Sequence, residues 1–325
     1  MPLLSRRRLL ATAPLLLAPA FGRAQAAFPS RPVRMVVPYP PGGSVDPVAR
    51  LLSEKLSALW GQQVVVDNKP GASTILGTDL VAKAQPDGHT ILFTASTHVS
   101  NALLFNSLPY DSVKDFAPVT PVYKAEFVLV ANAQVAANTL QELVAQLKAQ
   151  PGRFNYGSAG NGNMNHLLAE MFAQQTGTRL THVPYKGGAP LITDMLGGLV
   201  QLYFAVPAAV LQHVQQGRMK ALAVTGDKRM ALLPNVPTFA EAGLPNFGLR
   251  NWLGFFAPAG TPAPVVQKIA ADLGRVLAMK DVADKLTSQG QLPFTQTPEQ
   301  FAALMREDFA EYGKVIKTAN IKIDQ

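Results

Sequence analysis

The sequence predicts an α/β protein of two domains, on three observations. Short β-branched or apolar runs alternate with segments of helical periodicity along most of the chain. The chain has 325 residues, against about 100 to 200 for an ordinary domain. Apolar residues make up 48% and charged residues 15%, which suits a buried core and excludes a disordered polyelectrolyte.

Taken in order, Arg34-Met35-Val36-Val37 reads as a strand and Pro47 to Trp60 as a helix with Val48, Leu51, Leu52, Leu56 and Leu59 on its apolar face. Asp46 stands at the expected N-cap, Pro47 at the first helical position and Gly61 just past the end. Val64-Val65-Val66 is the next strand, followed by a helix over Ile75 to Ala84, a Pro86-Asp87-Gly88 turn and a strand over Thr90 to Phe93. The pattern restarts at Phe127-Val128-Leu129-Val130. Thr139 caps a helix to Ala149, Phe154-Asn155-Tyr156 is extended, and a helix covers Asn165 to Gln174. Strands over Leu180 to Pro184, Val200 to Phe204 and Ala221 to Thr225 alternate with helices over Ala189 to Leu196 and Ala208 to Gln216. Leu249 to Phe256 reads as an extended return, and amphipathic helices over Pro264 to Ala278 and Pro298 to Thr318 close the chain.

Residues 1–26 have the three parts of a secretion signal: basic Ser5-Arg6-Arg7-Arg8, apolar Leu9 to Phe21, and the small-residue site Ala24-Gln25-Ala26. The apolar stretch of 13 residues, interrupted by Pro14 and Pro19, is shorter than the roughly 20 needed to span a bilayer. A cleaved signal and a soluble periplasmic protein are expected. Ser5-Arg6-Arg7-Arg8-Leu9-Leu10 also fits the twin-arginine export motif, with a Sec signal as the alternative.

The formal charge is +8, yet Arg6, Arg7, Arg8 and Arg23 fall in this leader, which leaves 25 basic against 21 acidic residues in the rest. No basic stripe with interleaved aromatics is present, so nucleic acid is not an expected partner and a small anion is. The absence of cysteine excludes disulfides, thiolate metal sites and a cysteine nucleophile.

Two loops share one design, a strand running into glycines and then a helix N-terminus. They are Pro38-Tyr39-Pro40-Pro41-Gly42-Gly43-Ser44-Val45-Asp46 and Gly157-Ser158-Ala159-Gly160-Asn161-Gly162-Asn163-Met164-Asn165-His166. Glycine lets backbone approach a ligand, and the free N–H groups of a helix start favour an anion there. Each loop is a candidate anion cradle. The second has P-loop spacing but carries Asn163 where the phosphate-binding lysine belongs, and Asn165 replaces the third glycine of a dinucleotide fingerprint. Tyr156 breaks a G-x-S-x-G elbow, so Ser158 and His166 read as polar contacts rather than parts of a triad. The histidines His89, His98, His166, His182 and His213 show no metal-ligand spacing. No catalytic residue, metal or cofactor is expected.

At these loops the chain resembles the extracytoplasmic solute-binding proteins of tripartite tricarboxylate transporters, the Bug or TctC-like family. The resemblance covers essentially the whole mature chain. It runs through Pro32-Val33-Arg34, the first glycine loop, Val66-Asp67-Asn68-Lys69-Pro70-Gly71-Ala72, the second glycine loop, His182-Val183-Pro184-Tyr185-Lys186-Gly187-Gly188, and Trp252 with Ala257-Pro258-Ala259-Gly260-Thr261-Pro262.

The resemblance implies a two-domain periplasmic binding protein, type II-like, with the ligand in the interdomain cleft. Residues 27–126 and 249–325 would form the first domain and residues 127–248 the second. Carried over, the ligand contacts would come from Tyr39, Gly42, Gly43, Ser44, Ser96, Ser158, Gly160, Asn161, Gly162, His166 and Tyr185, with Thr94 to His98 near the cleft. Many family members have aspartate where this chain has Ala205. That departure points to a carboxylate ligand without an amine. The implied partners are a small organic or aromatic acid and membrane permease subunits, with the binding protein itself monomeric. A periplasmic sensor for a signalling receptor, or a periplasmic hydrolase, is the alternative.

Overall fold

Strand β1 (Val33–Val37) is buried on both faces, as an interior parallel strand must be. Its side chains alternate. Val33, Met35 and Val37 join Val48, Ala49, Leu52 and Leu56 of helix α1 (Asp46–Trp60), together with Val266, Ile269, Leu273 and Val276. Val36 points the other way, into a cluster with Val81, Leu92, Val99 and Phe301.

The computed structural model describes residues 28–318 and 320–321. The expected signal peptide, 1–26, lies outside the described residues. The first sheet is completed by β2 (Val64–Asn68), β3 (Thr90–Ala95), β4 (Phe116–Ala125), β10 (Trp252–Pro258) and β11 (Gln291–Pro293), in the order β11-β4-β10-β3-β1-β2. Strands β1, β2 and β3 run parallel, and β10 is antiparallel to both β3 and β4. On its faces lie α1, α2 (Ile75–Ala82), α3 (Thr97–Leu104), α8 (Ala263–Leu277), α9 (Lys280–Thr287) and α10 (Pro298–Thr318).

The second sheet contains β5 (Val128–Asn132), β6 (Asn155–Ser158), β7 (Thr181–Pro184), β8 (Leu202–Ala205) and β9 (Met219–Val224), in the order β7-β6-β8-β5-β9. Here β6, β7 and β8 are parallel and β5 is antiparallel to β8 and β9. Helices α4 (Leu140–Ala149), α5 (Met164–Thr176), α6 (Gly188–Leu196) and α7 (Pro207–Gln215) connect the strands. The expected cap holds: Thr139 Oγ1 accepts the Glu142 N–H at 3.2 Å.

The two sheets thus repeat one topology without repeating sequence. In each, the first parallel strand sits between the second and third, and a strand of opposite direction follows. Each glycine loop leaves the carboxyl end of that first strand, β1 or β6, which is where open α/β sheets bind ligands.

The chain crosses between sheets twice, after β4 and before β10. The crossings lie side by side, with the Ala125 N–H donating to Asn251 O at 2.9 Å. Asp308 of α10, fully buried, fastens the second crossing by accepting from Arg250 Nε at 2.9 Å and from the Trp252 indole N–H at 2.7 Å. The Tyr312 hydroxyl donates to Arg250 O.

Four elements lie beyond the sequence reading: α3, β4, α9 and β11. Strand β4 contains Pro118 and Pro121, residues that argue against an inner strand because they donate nothing to a ladder. The sheet absorbs them at two register shifts against β10, where Pro118 pairs with Phe256 and Pro121 with Gly254.

Candidate ligand-binding site

The first loop is wired by Asp46, which is not the N-cap expected from sequence. The helix begins at Asp46 itself, and the carboxylate folds back to accept the Gly42 N–H at 3.1 Å, with Arg50 Nε at 2.9 Å and Asn68 Nδ2 at 3.0 Å. A buried acid in the first turn finds better partners in the loop behind it and in the i+4 guanidinium than in its own helix start. Burial by itself would raise this carboxyl, but the bonds from Arg50, Gly42 and Asn68 outweigh it and hold it below the usual carboxylate range.

Gly42 has a φ of +76°, a left-handed turn that glycine adopts without strain. The Gly43 N–H donates to Pro40 O at 3.3 Å. These two glycine N–H groups are therefore occupied within the loop, whereas those of Ser44 and Val45 have no acceptor among the described residues. The Tyr39 hydroxyl reaches to the end of β3, where it accepts the Ala95 N–H at 3.1 Å and lies 3.4 Å from Thr94 Oγ1. Ser96 is buried, and its hydroxyl donates to Asn251 Oδ1 at 3.0 Å, at the second crossing.

In the second loop Gly160 and Gly162 take φ of +145° and +74°. The Ala159 N–H donates to Asn165 Oδ1 at 3.2 Å and the Gly162 N–H to His166 Nδ1 at 3.1 Å. The Asn161 N–H has no acceptor among the described residues.

The sequence reads Ser158 and His166 as separate polar contacts, and the structure gives Ser158 a partner in His182: Ser158 Oγ lies 2.6 Å from His182 Nε2 and 3.1 Å from Gly160 O. His182 stacks on His166 with centroids 4.0 Å apart and on Tyr156 at 4.8 Å. Burial lowers His166 to about 3, helped by the neighbouring His182, and burial lowers His182 to about 4, so both rings are neutral near pH 7.

The other predicted residues are placed less directly. The Tyr185 N–H donates to Ser158 O at 2.9 Å, keeping its segment beside the second loop, while its hydroxyl donates to Asp194 Oδ2 at 2.7 Å. Burial and then Asp194 push that phenol up to about 12. Ala205 ends β8, and its methyl packs into an apolar group with Val128, Tyr203, Val210 and Val224.

The two loops meet. Ser100 Oγ of α3 donates to Gly162 O at 2.9 Å, a buried bond from an element of the first sheet to the loop of the second. Neither Ser100 nor His182 emerges as a site residue from the sequence reading, because both depend on contacts between segments 62 and 24 residues apart. The strand pairing explains His182. On β7 it lies two residues from Pro184, the register partner of Ser158 on β6, and so shares a face with that serine.

Chemically, this arrangement offers backbone donors and, in the second loop, neutral side chains, while the Asp46 carboxylate of the first loop is already paired with Arg50. His182 Nδ1 has no carboxylate partner among the described residues, so the third member of a hydrolytic triad is missing there. No group of three potential metal ligands occurs among the described residues. No helix among them is long and apolar enough to cross a membrane.

Residues 48–321 match the family described as tripartite tricarboxylate transporter family receptor. BugT of Bordetella pertussis (strain Tohama I) is 36% identical over 298 residues, covering 91% of both chains. Among solved structures, the R. palustris protein Rpa4515 with adipate is 32% identical with a TM-score of 0.84, covering 91% of this chain and 99% of that one. MatC from Rhodopseudomonas palustris with bound malate is 32% identical with a TM-score of 0.80, covering 89% of this chain and 100% of that one. With the family match running from residue 48 to 321 and these relatives covering about nine-tenths of the chain, the chain belongs to the tripartite tricarboxylate transporter receptor family, TctC, and has the fold of its solute-binding proteins.

Proposed function

We propose that this protein is a periplasmic binding protein that captures a small carboxylate and presents it to the permease of a tripartite tricarboxylate transporter. The observation that carries the reading is the pair of glycine loops at corresponding places in two like sheets, the second of them bonded to α3 of the first sheet through Ser100 and Gly162 O. The free N–H groups of Ser44, Val45 and Asn161 supply donors without positive side chains, which suits a carboxylate held away from water. Adipate and malate, bound by the two relatives, are acids of this kind.

In this reading residues 27–126 with 249–325 form one closing half and residues 127–248 the other, and the ligand stabilises the closed form. Residues 1–26 direct export, through the twin-arginine route. The protein binds without turnover: sustained conversion of a bound acid by the pure protein, abolished by Ser158→Ala, would refute that part.

The ligand lacks a cationic amine. Asp46, the buried acid at the first loop, is already satisfied by Gly42, Arg50 and Asn68, so an ammonium would enter without a paired carboxylate. A panel of acids tests this by thermal stability and calorimetry, with malate set against aspartate and adipate against 2-aminoadipate. A ligand at a hundred times its Kd should stabilise by about 2.7 kcal/mol. The plain acids are expected to bind at least tenfold more tightly, and tighter binding of the amino acids would overturn the specificity. Ala205→Asp is a poor probe of the same point, since its carboxylate would enter the apolar group around Val128 and Val210.

A further inference from the structure

We propose that His166 is a positioning residue which, as a hydrogen-bond acceptor, sets the second glycine loop, and that with Ser100 it forms one latch holding the two halves of the site together. The proposal rests on the reading of the loops as the ligand site, and it adds a role for His166 that is not direct ligand contact.

The chain of contacts is continuous. Ser100 Oγ donates to Gly162 O at 2.9 Å, the Gly162 N–H donates to His166 Nδ1 at 3.1 Å, and the His166 ring stacks on His182 with an interplanar angle of 8°. His182 in turn holds Ser158 Oγ at 2.6 Å. The peptide groups on both sides of Gly162 are thus fixed, one from each sheet's elements. Gly162 is held at φ +74°, so its own backbone leaves the turn free to take other shapes once either partner is lost.

Two details decide the role of His166. Its Nδ1 accepts, so that nitrogen carries no proton, and a protonated ring would set one N–H against another. The ring is buried, which keeps it neutral and preserves the lone pair over the working pH range. The Ser100 hydroxyl has one proton and two acceptors in reach, Gly162 O at 2.9 Å and Thr97 O of its own helix at 3.2 Å. The shorter bond crosses between the sheets. Loss of the loop geometry returns the proton to Thr97, so the crossing bond reports whether the loop is in place.

The test uses the mature protein with Ser100→Ala, His166→Phe, His166→Asn and the double variant Ser100→Ala with His166→Phe. Phenylalanine keeps an aromatic ring in the stack and removes only the acceptor. Asparagine removes the ring but returns an acceptor, its Oδ1, near the place of Nδ1. The first readout is amide hydrogen exchange at Gly162 without ligand, and the second is the Kd for adipate and malate by calorimetry.

His166→Phe is expected to lose at least tenfold in both protection and affinity and Ser100→Ala about fivefold in affinity. The double variant should be no weaker than His166→Phe alone, because one latch can be broken only once. His166→Asn should restore at least half of the logarithmic loss. Multiplying effects in the double variant, or an asparagine variant as impaired as the phenylalanine one, would overturn the latch. If neither acid binds the unaltered protein, the ligand reading fails on its own. The exchange measurement then decides the latch, and unchanged Gly162 protection in His166→Phe would overturn it.

Discussion

Acidification from pH 6.5 to 4.5 is expected to destabilise the folded protein by roughly 1.5 kcal/mol per pH unit. Three buried histidines cause this. Burial lowers His98 to about 4, His166 to about 3 and His182 to about 4, so the native state leaves them neutral while the unfolded chain protonates them. Their contribution is complete above the unfolded value of about 6.5 and is lost as pH falls toward the folded values. Each can take up to about 1.4 kcal/mol per pH unit, with His182, the least buried, contributing less.

Asp308, pushed up to about 6 by burial, and Glu126, raised by burial, act in the opposite sense, because their native forms bind protons first as pH falls. Three groups outweigh two. Urea denaturation at pH 7.5, 6.0 and 5.0 measures the slope. His98→Phe tests its origin, since the ring sits among Tyr110, Phe116 and Phe256 and phenylalanine fits that setting. That variant should lose about one proton's worth of slope, and a flat profile in the parent protein would refute the account.

Asp308→Ala is expected to cost about 3 kcal/mol, the second large effect. The substitution strands the buried Trp252 indole N–H and leaves Arg250 without its buried partner. Most of the cost belongs to the indole, because Arg250 is half exposed and keeps Glu307 at 3.0 Å. Asp308→Asn, which returns an acceptor, should therefore cost only about 1 kcal/mol. Equal losses in the two variants would assign the effect to charge instead.

The elements that could be read from the sequence were those with local signals. Helix α1 has Pro47 at its start and Gly61 at its end, and the Gly61 N–H does donate back to Ser57 O at 3.0 Å. Helix α3, Thr97–Leu104, carries no such punctuation, and β4 hides behind its prolines until the bulges of its partner strand are known. The site divides in the same way. Glycine followed by a helix start marks Gly42, Gly43, Gly160 and Gly162 from sequence, since the chemistry is backbone chemistry. Which side chain occupies each N–H is decided by folding: Asp46 takes Gly42 and His166 takes Gly162. The pairing of Ser158 with His182 required the register of β6 against β7, and no local pattern contains that.

The side-by-side crossings have a mechanical consequence. Two extended segments tied together by the bond from Ala125 N–H to Asn251 O behave as a short ribbon, pliable across its face and stiff within its plane. In the proposed closing, such a ribbon would favour rotation of one sheet against the other about one main axis over sliding or skewing. Under that motion the gap between the glycine loops would follow a single angle. An acid gripped at one end by either loop would be gauged along its length by how far that angle can shut, much as callipers gauge a rod.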